Sequence, residues 1–298
     1  MEQHFLLSCC STVDLPYTFL EERGISVLYY SYVVDGVTYE DDLGRDPQSI
    51  PRFYEWICQG KQAATSQISV GRYIDYFAGL AQKGDVLHLA FSSGMSGSAN
   101  NAILAAAEVQ ERYPERKIMA VDTLCGSGGY GLLTEKLSEL RDAGATLEEA
   151  YDWVICNRGR MHHQFFSSDM THLHRTGRVS GPAAMVATVL NICPLMCLDN
   201  EGRIKAYGKA RGKKAAIKAL VDAMEIHAEK GLQYDGPCCI AHSMCKEDGQ
   251  ALVQAIQERF PLLKGKIPLY DIGTTIGAHT GVGTVSLYFW GDQRTAID

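Results

Sequence analysis

Short apolar runs alternate with amphipathic stretches along the first half of the chain. The runs at 5–9, 25–30, 86–91 and 117–121 predict strands, and three-to-four-residue periodicity predicts helices over 51–59, 70–82, 100–112 and 130–142. Alternating strands and helices predict a largely parallel sheet covered on both faces. Within this half, 33–39 reads as a hairpin closed by Asp35-Gly36. A second unit begins near 158–161. Its strands are expected at 163–168, 192–198, 238–242 and 284–290, and its helices at 182–190, 213–229 and 246–259. Asp199-Asn200-Glu201-Gly202 supplies a tight turn after the second of these strands. The expected architecture is α/β, with two α/β domains at 1–160 and 161–298 that meet at a ligand-binding cleft.

Composition narrows the partners. At 298 residues and 46% hydrophobic, the chain has ample material for a core. A formal charge of -7 argues against a nucleic-acid groove or an anionic membrane surface. No apolar run approaches the roughly 18 residues of a membrane span. Met1-Glu2-Gln3-His4 carries no cationic leader, so a cytoplasmic location is expected. The ten cysteines form no CxxC pair, and Cys58, Cys156, Cys193, Cys238 and Cys239 stand in apolar surroundings, as buried free thiols would. His162, His163, His172 and His174 lack a completing ligand set and read as structural or surface residues. Neither a metal nor a cofactor is expected.

Candidate chemistry concentrates in three small polar clusters: Thr65-Ser66-Gln67, Ser92-Ser93 with Ser96, and Gly277 to Gly283 around His279. The second lies between a strand and a helix, where free amides and hydroxyls can face a phosphate, a carboxylate or an oxyanion. Gly94-Met95-Ser96-Gly97-Ser98 nearly matches the hydrolase elbow but has Ser98 where the last glycine belongs. A serine hydrolase acting on an acyl ester through Ser96 and His279 is the alternative to a binding protein. Gly126-Ser127-Gly128-Gly129-Tyr130-Gly131 fits GxGxxG, either as a dinucleotide loop or as glycines that permit close packing. No P-loop signature is present.

In order along nearly the whole chain, these motifs resemble the DegV family. Ser11-Thr12-Val13-Asp14-Leu15-Pro16 corresponds to its S-T-x-D-L-P, Thr65-Ser66-Gln67 to its TSQ loop, and Ser92 to Gly97 to its SSxxSG loop. Arg175-Thr176-Gly177-Arg178, Ile192-Cys193-Pro194-Leu195 and Gly277-Ala278-His279-Thr280-Gly281-Val282-Gly283 are similar to three further family segments. The resemblance implies a fatty-acid-binding subunit of a bacterial fatty acid kinase, without turnover of its own. Its carboxylate contacts correspond to Thr65 and Ser96, with the His279 imidazole beside the head group. Ser66 and Ser93 support the loops, and Arg178 and Arg211 face phosphotransfer or the kinase subunit that carries ATP. The chain departs from the family pattern at Cys10, Ile68, Cys193 and Val282, where Asp, Pro, Lys and Pro are usual.

Overall fold

Residues 86–90 are apolar except for His88, and all five are buried. Strand side chains alternate between faces, so such a run requires cover on both sides. The computed structural model supplies it. The structure describes residues 5–179 and 191–297; the helix expected over 182–190 and the leader reading at Met1 to His4 lie outside them.

The first half runs β1 (Leu6–Cys10), α1 (Tyr17–Glu22), β2 (Ser26–Leu28), β3 (Ser31–Val34), β4 (Val37–Glu40), α2 (Ser49–Cys58) and β5 (Ala63–Thr65). It continues through α3 (Val70–Ala81), β6 (Val86–Ala90), α4 (Ser98–Arg112), β7 (Ile118–Asp122), α5 (Ser127–Asp142) and α6 (Leu147–Asn157). The second half runs β8 (Met161–Ser167), α7 (Thr171–Arg175), β9 (Ile192–Leu198), β10 (Ile204–Arg211) and α8 (Lys213–His227). It ends with β11 (Cys238–His242), α9 (Lys246–Arg259), β12 (Leu269–Asp271), α10 (Thr274–Thr280) and β13 (Thr284–Trp290).

A parallel four-stranded sheet, β2-β1-β6-β7, carries the first domain, with Leu7 beside Leu87 and Leu87 beside Met119. A six-stranded sheet, β10-β9-β8-β13-β11-β12, carries the second and is antiparallel except for β11 with β12. The expected run 25–30 does not stay in one sheet. It leaves the parallel sheet after Leu28 and enters a small antiparallel one, β4-β3-β5, at Ser31. At the switch the Tyr30 N–H is taken by Ser11 Oγ at 3.0 Å, and its carbonyl accepts the Asp41 N–H at 2.9 Å. Backbone groups spent this way cannot extend a ladder. The β3–β4 turn is as expected: Asp35 and Gly36 both have positive φ (51° and 79°), as a type I′ turn requires.

Several elements escape periodicity. The capping box that opens α6 is legible, with Thr146 Oγ1 accepting from Glu149 N at 3.2 Å and Glu149 Oε2 accepting from Thr146 N at 2.8 Å. Helix α10 runs into the polar cluster around His279, where no helix is expected from periodicity. Its Gly277 lies against α2, where an added Cβ would come within 2.6 Å of the Tyr54 hydroxyl.

The GxGxxG run opens α5 and serves packing. A Cβ at Gly128 would meet the Tyr288 ring at 2.7 Å, and one at Gly129 would meet His163 at 2.4 Å, so protein atoms take the space that a pyrophosphate would need. This helix start is where the domains join. Ser127 Oγ donates to Asp14 Oδ2 at 2.5 Å, while Asp14 Oδ1 accepts the Gly273 N–H at 3.1 Å. Asp14, buried at the corner after β1, thereby holds α5 and the start of α10 together. Cysteine burial is partly corrected: Cys58 and Cys156 are exposed, and the other eight are buried; all ten are free.

Candidate functional site

The TSQ residues follow directly from β5, whose Thr65 pairs with Tyr32. The next residues are tied to the start of α4. Ile68 N donates to Ser98 Oγ at 3.0 Å, Asn101 Nδ2 donates to Ile68 O at 2.7 Å, and Gln67 lies so close to Gly97 that a Cβ there would clash. The SSxxSG loop leaves β6 and is steadied from the second domain, because Ser92 Oγ donates to Gly202 O in the β9–β10 turn at 2.8 Å. Ser96 Oγ donates to Ser98 Oγ at 3.1 Å. From the other side, α10 delivers His279, whose Nε2 lies 2.8 Å from Thr65 Oγ1.

Thr65, Ser66, Ser93, Ser96, Arg178 and His279 line one cavity of about 500 Å³ between the domains. Arg178 stands in the exposed turn after α7. Arg211 does not line this cavity; it ends β10, an edge strand. Helix α10 and the switch between sheets add wall residues that motif reading passed over, notably Tyr30 and Thr275. The Thr274-Thr275 pair ahead of the histidine segment was the available signal for one of them. Deeper in, a second cavity of about 60 Å³ shares Phe91, Met95, Ile204, Ile276 and Thr280 with the first and continues between Phe165, Leu198 and Tyr288. A polar mouth therefore opens onto an apolar interior.

Electrostatics at the mouth favour an anion. Burial first, then the Arg178 and Arg175 charges, push the His279 imidazole down to about 4 from its ordinary 6.5. It is neutral near pH 7, and an anion brought beside it would raise it again. Its Nδ1 is buried and without a partner among the described residues. Among the described residues no carboxylate orients this imidazole and it does not reach Ser96: the hydrogen bond of Nε2 goes to Thr65, and that of the Ser96 hydroxyl goes to Ser98. The Ser96–His279 contact that the hydrolase alternative requires is therefore not made.

His162 and His163 lie away from this cavity. His163, buried in β8, bridges to Gly126 O at 3.1 Å. His162 Nε2 stands 2.9 Å from Asp292 Oδ1, and His227 Nδ1 stands 3.2 Å from the same oxygen, tying the end of α8 to the segment after β13.

A family model described as "Uncharacterised protein, DegV family COG1307" matches residues 10–291. A DegV domain-containing protein of Clostridium perfringens is 33% identical over 293 residues, covering 97% of this chain and 98% of its own. The solved structure of a DegV family protein from Thermus thermophilus, described by its fatty acid binding, matches at TM-score 0.83 and 26% identity, over 97% of this chain and 100% of its own. The fold is also that of the Streptococcus pneumoniae Fatty Acid Kinase (Fak) B3 protein loaded with linoleic acid, at TM-score 0.81 and 22% identity over 97% of this chain and 99% of that one.

Proposed function

The chain belongs to the DegV family, and from that premise we propose that it binds one long-chain fatty acid and presents the carboxylate to a partner kinase. The observation that carries this reading is the junction of cavities: hydroxyls and an imidazole at the mouth, with phenylalanine, methionine, leucine and isoleucine walls behind them. An acyl chain of about sixteen carbons gains on the order of 10 kcal/mol at roughly 0.8 kcal/mol per buried CH₂, before binding costs are subtracted. The carboxylate needs donors of its own, since a buried unpaired charge is expensive. Thr65 and Ser96 supply them, with His279 alongside and Ser66 and Ser93 shaping the loops.

The kinase step follows from the same layout. A carboxylate oxygen attacks the γ-phosphorus of ATP held by the kinase, the C–O–P link of an acyl phosphate forms, and ADP leaves. Arg178 at the mouth and Arg211 on the edge strand offer positive charge to the phosphates. In this reading the chain is a carrier that orients the head group and performs no turnover alone.

The decisive experiment is denaturing mass spectrometry of organic extracts from protein purified out of a bacterial host. It is paired with acyl-phosphate formation by a candidate kinase and ATP. Close to one fatty acid per chain is expected. Lipid-free extracts, together with no uptake of palmitate by delipidated protein, would end the carrier reading. Fatty acid uptake with no phosphorylation by any candidate kinase would leave a carrier with another client.

A further inference from the structure

We propose that the Tyr30 hydroxyl is a third donor to the bound carboxylate, gripping the oxygen farther from the mouth; the proposal rests on the fatty-acid reading above. Tyr30 sits where the chain passes from the parallel sheet to the small antiparallel one, and its backbone is pinned on both sides, by Ser11 Oγ and by the Asp41 N–H. Its side chain is only 3% exposed, yet it forms part of the cavity wall with Thr65 and Ser96.

The hydroxyl has no hydrogen-bond partner among the described residues. That is unusual, because burying a polar group unpaired costs free energy and folded proteins seldom tolerate it. Other deeply buried tyrosines of this chain are satisfied. Tyr54 donates to Ile272 O at 2.8 Å, Tyr234 donates to Pro237 O at 2.6 Å, and Tyr130 donates to Leu89 O. Tyr30 differs from them in standing at the cavity.

The Ser98 and Ser96 hydroxyls face the phenol without meeting hydrogen-bond geometry. Ser98 Oγ already accepts from Ile68 N and from Ser96. A carboxylate that draws the Ser96 proton toward itself comes within the reach of Tyr30 as well. A carboxylate offers about four acceptor sites over its two oxygens. Thr65 is half-buried and Tyr30 buried, and Tyr30 is assigned the more deeply placed carboxylate oxygen. The inner oxygen is then held by Tyr30, and the outer one keeps a lone pair for the phosphoryl group. Burial also raises the phenol well above its ordinary range, which keeps it a donor throughout the working pH range.

The test compares wild type with Tyr30→Phe, which removes one oxygen and keeps the ring. Three readouts are used: palmitate affinity, ¹³C NMR titration of carboxyl-labelled palmitate in the bound state, and thermal melting without lipid. The expected result is an affinity loss of about tenfold, with the bound carboxyl titrating about one unit higher, because tenfold and one pKa unit are the same free energy. Lipid-free Tyr30→Phe should melt no lower than wild type, since the group removed was unpaired.

Unchanged affinity and an unchanged carboxyl titration, in a wild-type protein that binds palmitate, would overturn the role of Tyr30 alone. So would an affinity loss with no change in the carboxyl titration, which marks a merely structural effect. If Tyr30→Phe does not fold, Tyr30→Leu takes its place; wild-type affinity in that variant, which offers no hydrogen-bond donor, overturns the proposal. A wild-type protein that takes up no palmitate would overturn the fatty-acid reading and this inference with it.

Discussion

Among the described residues two imidazoles meet a hydroxyl at 2.8 Å: His279 with Thr65 at the cavity, and His88 with Ser8 inside the first domain. Both are pushed down by burial, His279 to about 4 and His88 to about 3. The His88 site even has a thiol, with Cys10 Sγ 3.6 Å from Nε2, and on residue types alone it resembles a cysteine–histidine catalytic pair. Its valences are closed, however. Ser8 takes Nδ1, Cys10 takes Nε2, and the rings of Tyr73, Tyr76 and Phe77 surround the imidazole at centroid distances of 5.4, 6.4 and 5.2 Å. At the cavity, by contrast, His279 Nδ1, Tyr30 and Thr275 keep buried polar atoms without partners among the described residues. Unmet hydrogen-bonding capacity beside accessible space marks the candidate site; the residue types do not.

The contrast can be broken first at His88. Replacing it with alanine leaves a hole under three rings and unpaired groups on Ser8 and Cys10, so a stability loss of about 3 kcal/mol is expected. Urea unfolding measures it, and palmitate affinity of the folded fraction should stay at the wild-type value. A collapse of affinity at unchanged stability would reverse the roles of the two sites.

Thr65→Val and Ser96→Ala should do the opposite. Each removes one donor to a charged acceptor, worth roughly 1.5–3 kcal/mol, so palmitate titration should show about ten- to a hundredfold weaker binding with little change in melting. Wild-type affinity in both variants would move the head group elsewhere. Arg178→Ala and His279→Ala should cost less in binding than in acyl-phosphate formation, because their charge and polarity matter as phosphoryl charge develops. Equal losses in both assays would argue against that division.

Acid sharpens the comparison further. A buried histidine whose folded pKa is depressed leaves the unfolded chain holding more protons in between, so stability falls as pH falls. For His88 that contribution is complete above the ordinary 6.5 and lost down to about 3. Urea melts at pH 7, 5.5 and 4.5 should show the decline, with a shallower slope in His88→Asn. For His279 the window is 6.5 to about 4 without lipid. It should narrow when a carboxylate arrives, so loading with palmitate flattens the acid limb in wild type but not in His279→Gln. The smallest effect concerns thiols: burial pushes Cys10 up to about 12 and Cys9 well above the ordinary range, while Cys58 and Cys156 are exposed. Brief iodoacetamide treatment of native protein should label Cys58 and Cys156 and spare Cys9 and Cys10.

Legibility in the sequence followed the range of the interactions involved. Strands β9, β11 and β13 coincide with their expected bounds, because near-continuous burial leaves mostly apolar runs. Thr65, Ser96 and His279 were readable from motif order, and their loops do converge on one cavity. Tyr30 was not readable, since a tyrosine at a strand end looks like any core aromatic until its hydroxyl is seen without a partner. Helix α10 was missed because its glycine serves contact with α2, which no local pattern encodes.

Local and periodic features, then, were determined by the sequence alone: the α/β alternation, the Asp35-Gly36 turn, and which short hydroxyl loops were candidates. Nearest-neighbour sterics and side-chain spacing act within a few residues, so they can be read without a fold. Only the tertiary structure decided that Thr65 and His279, 214 positions apart, would share a hydrogen bond while Ser8 and His88, 80 positions apart, would be sealed away. Whether a polar group ends beside a cavity or beneath a ring depends on how whole layers pack. That outcome is a sum over distant contacts, written at no single position.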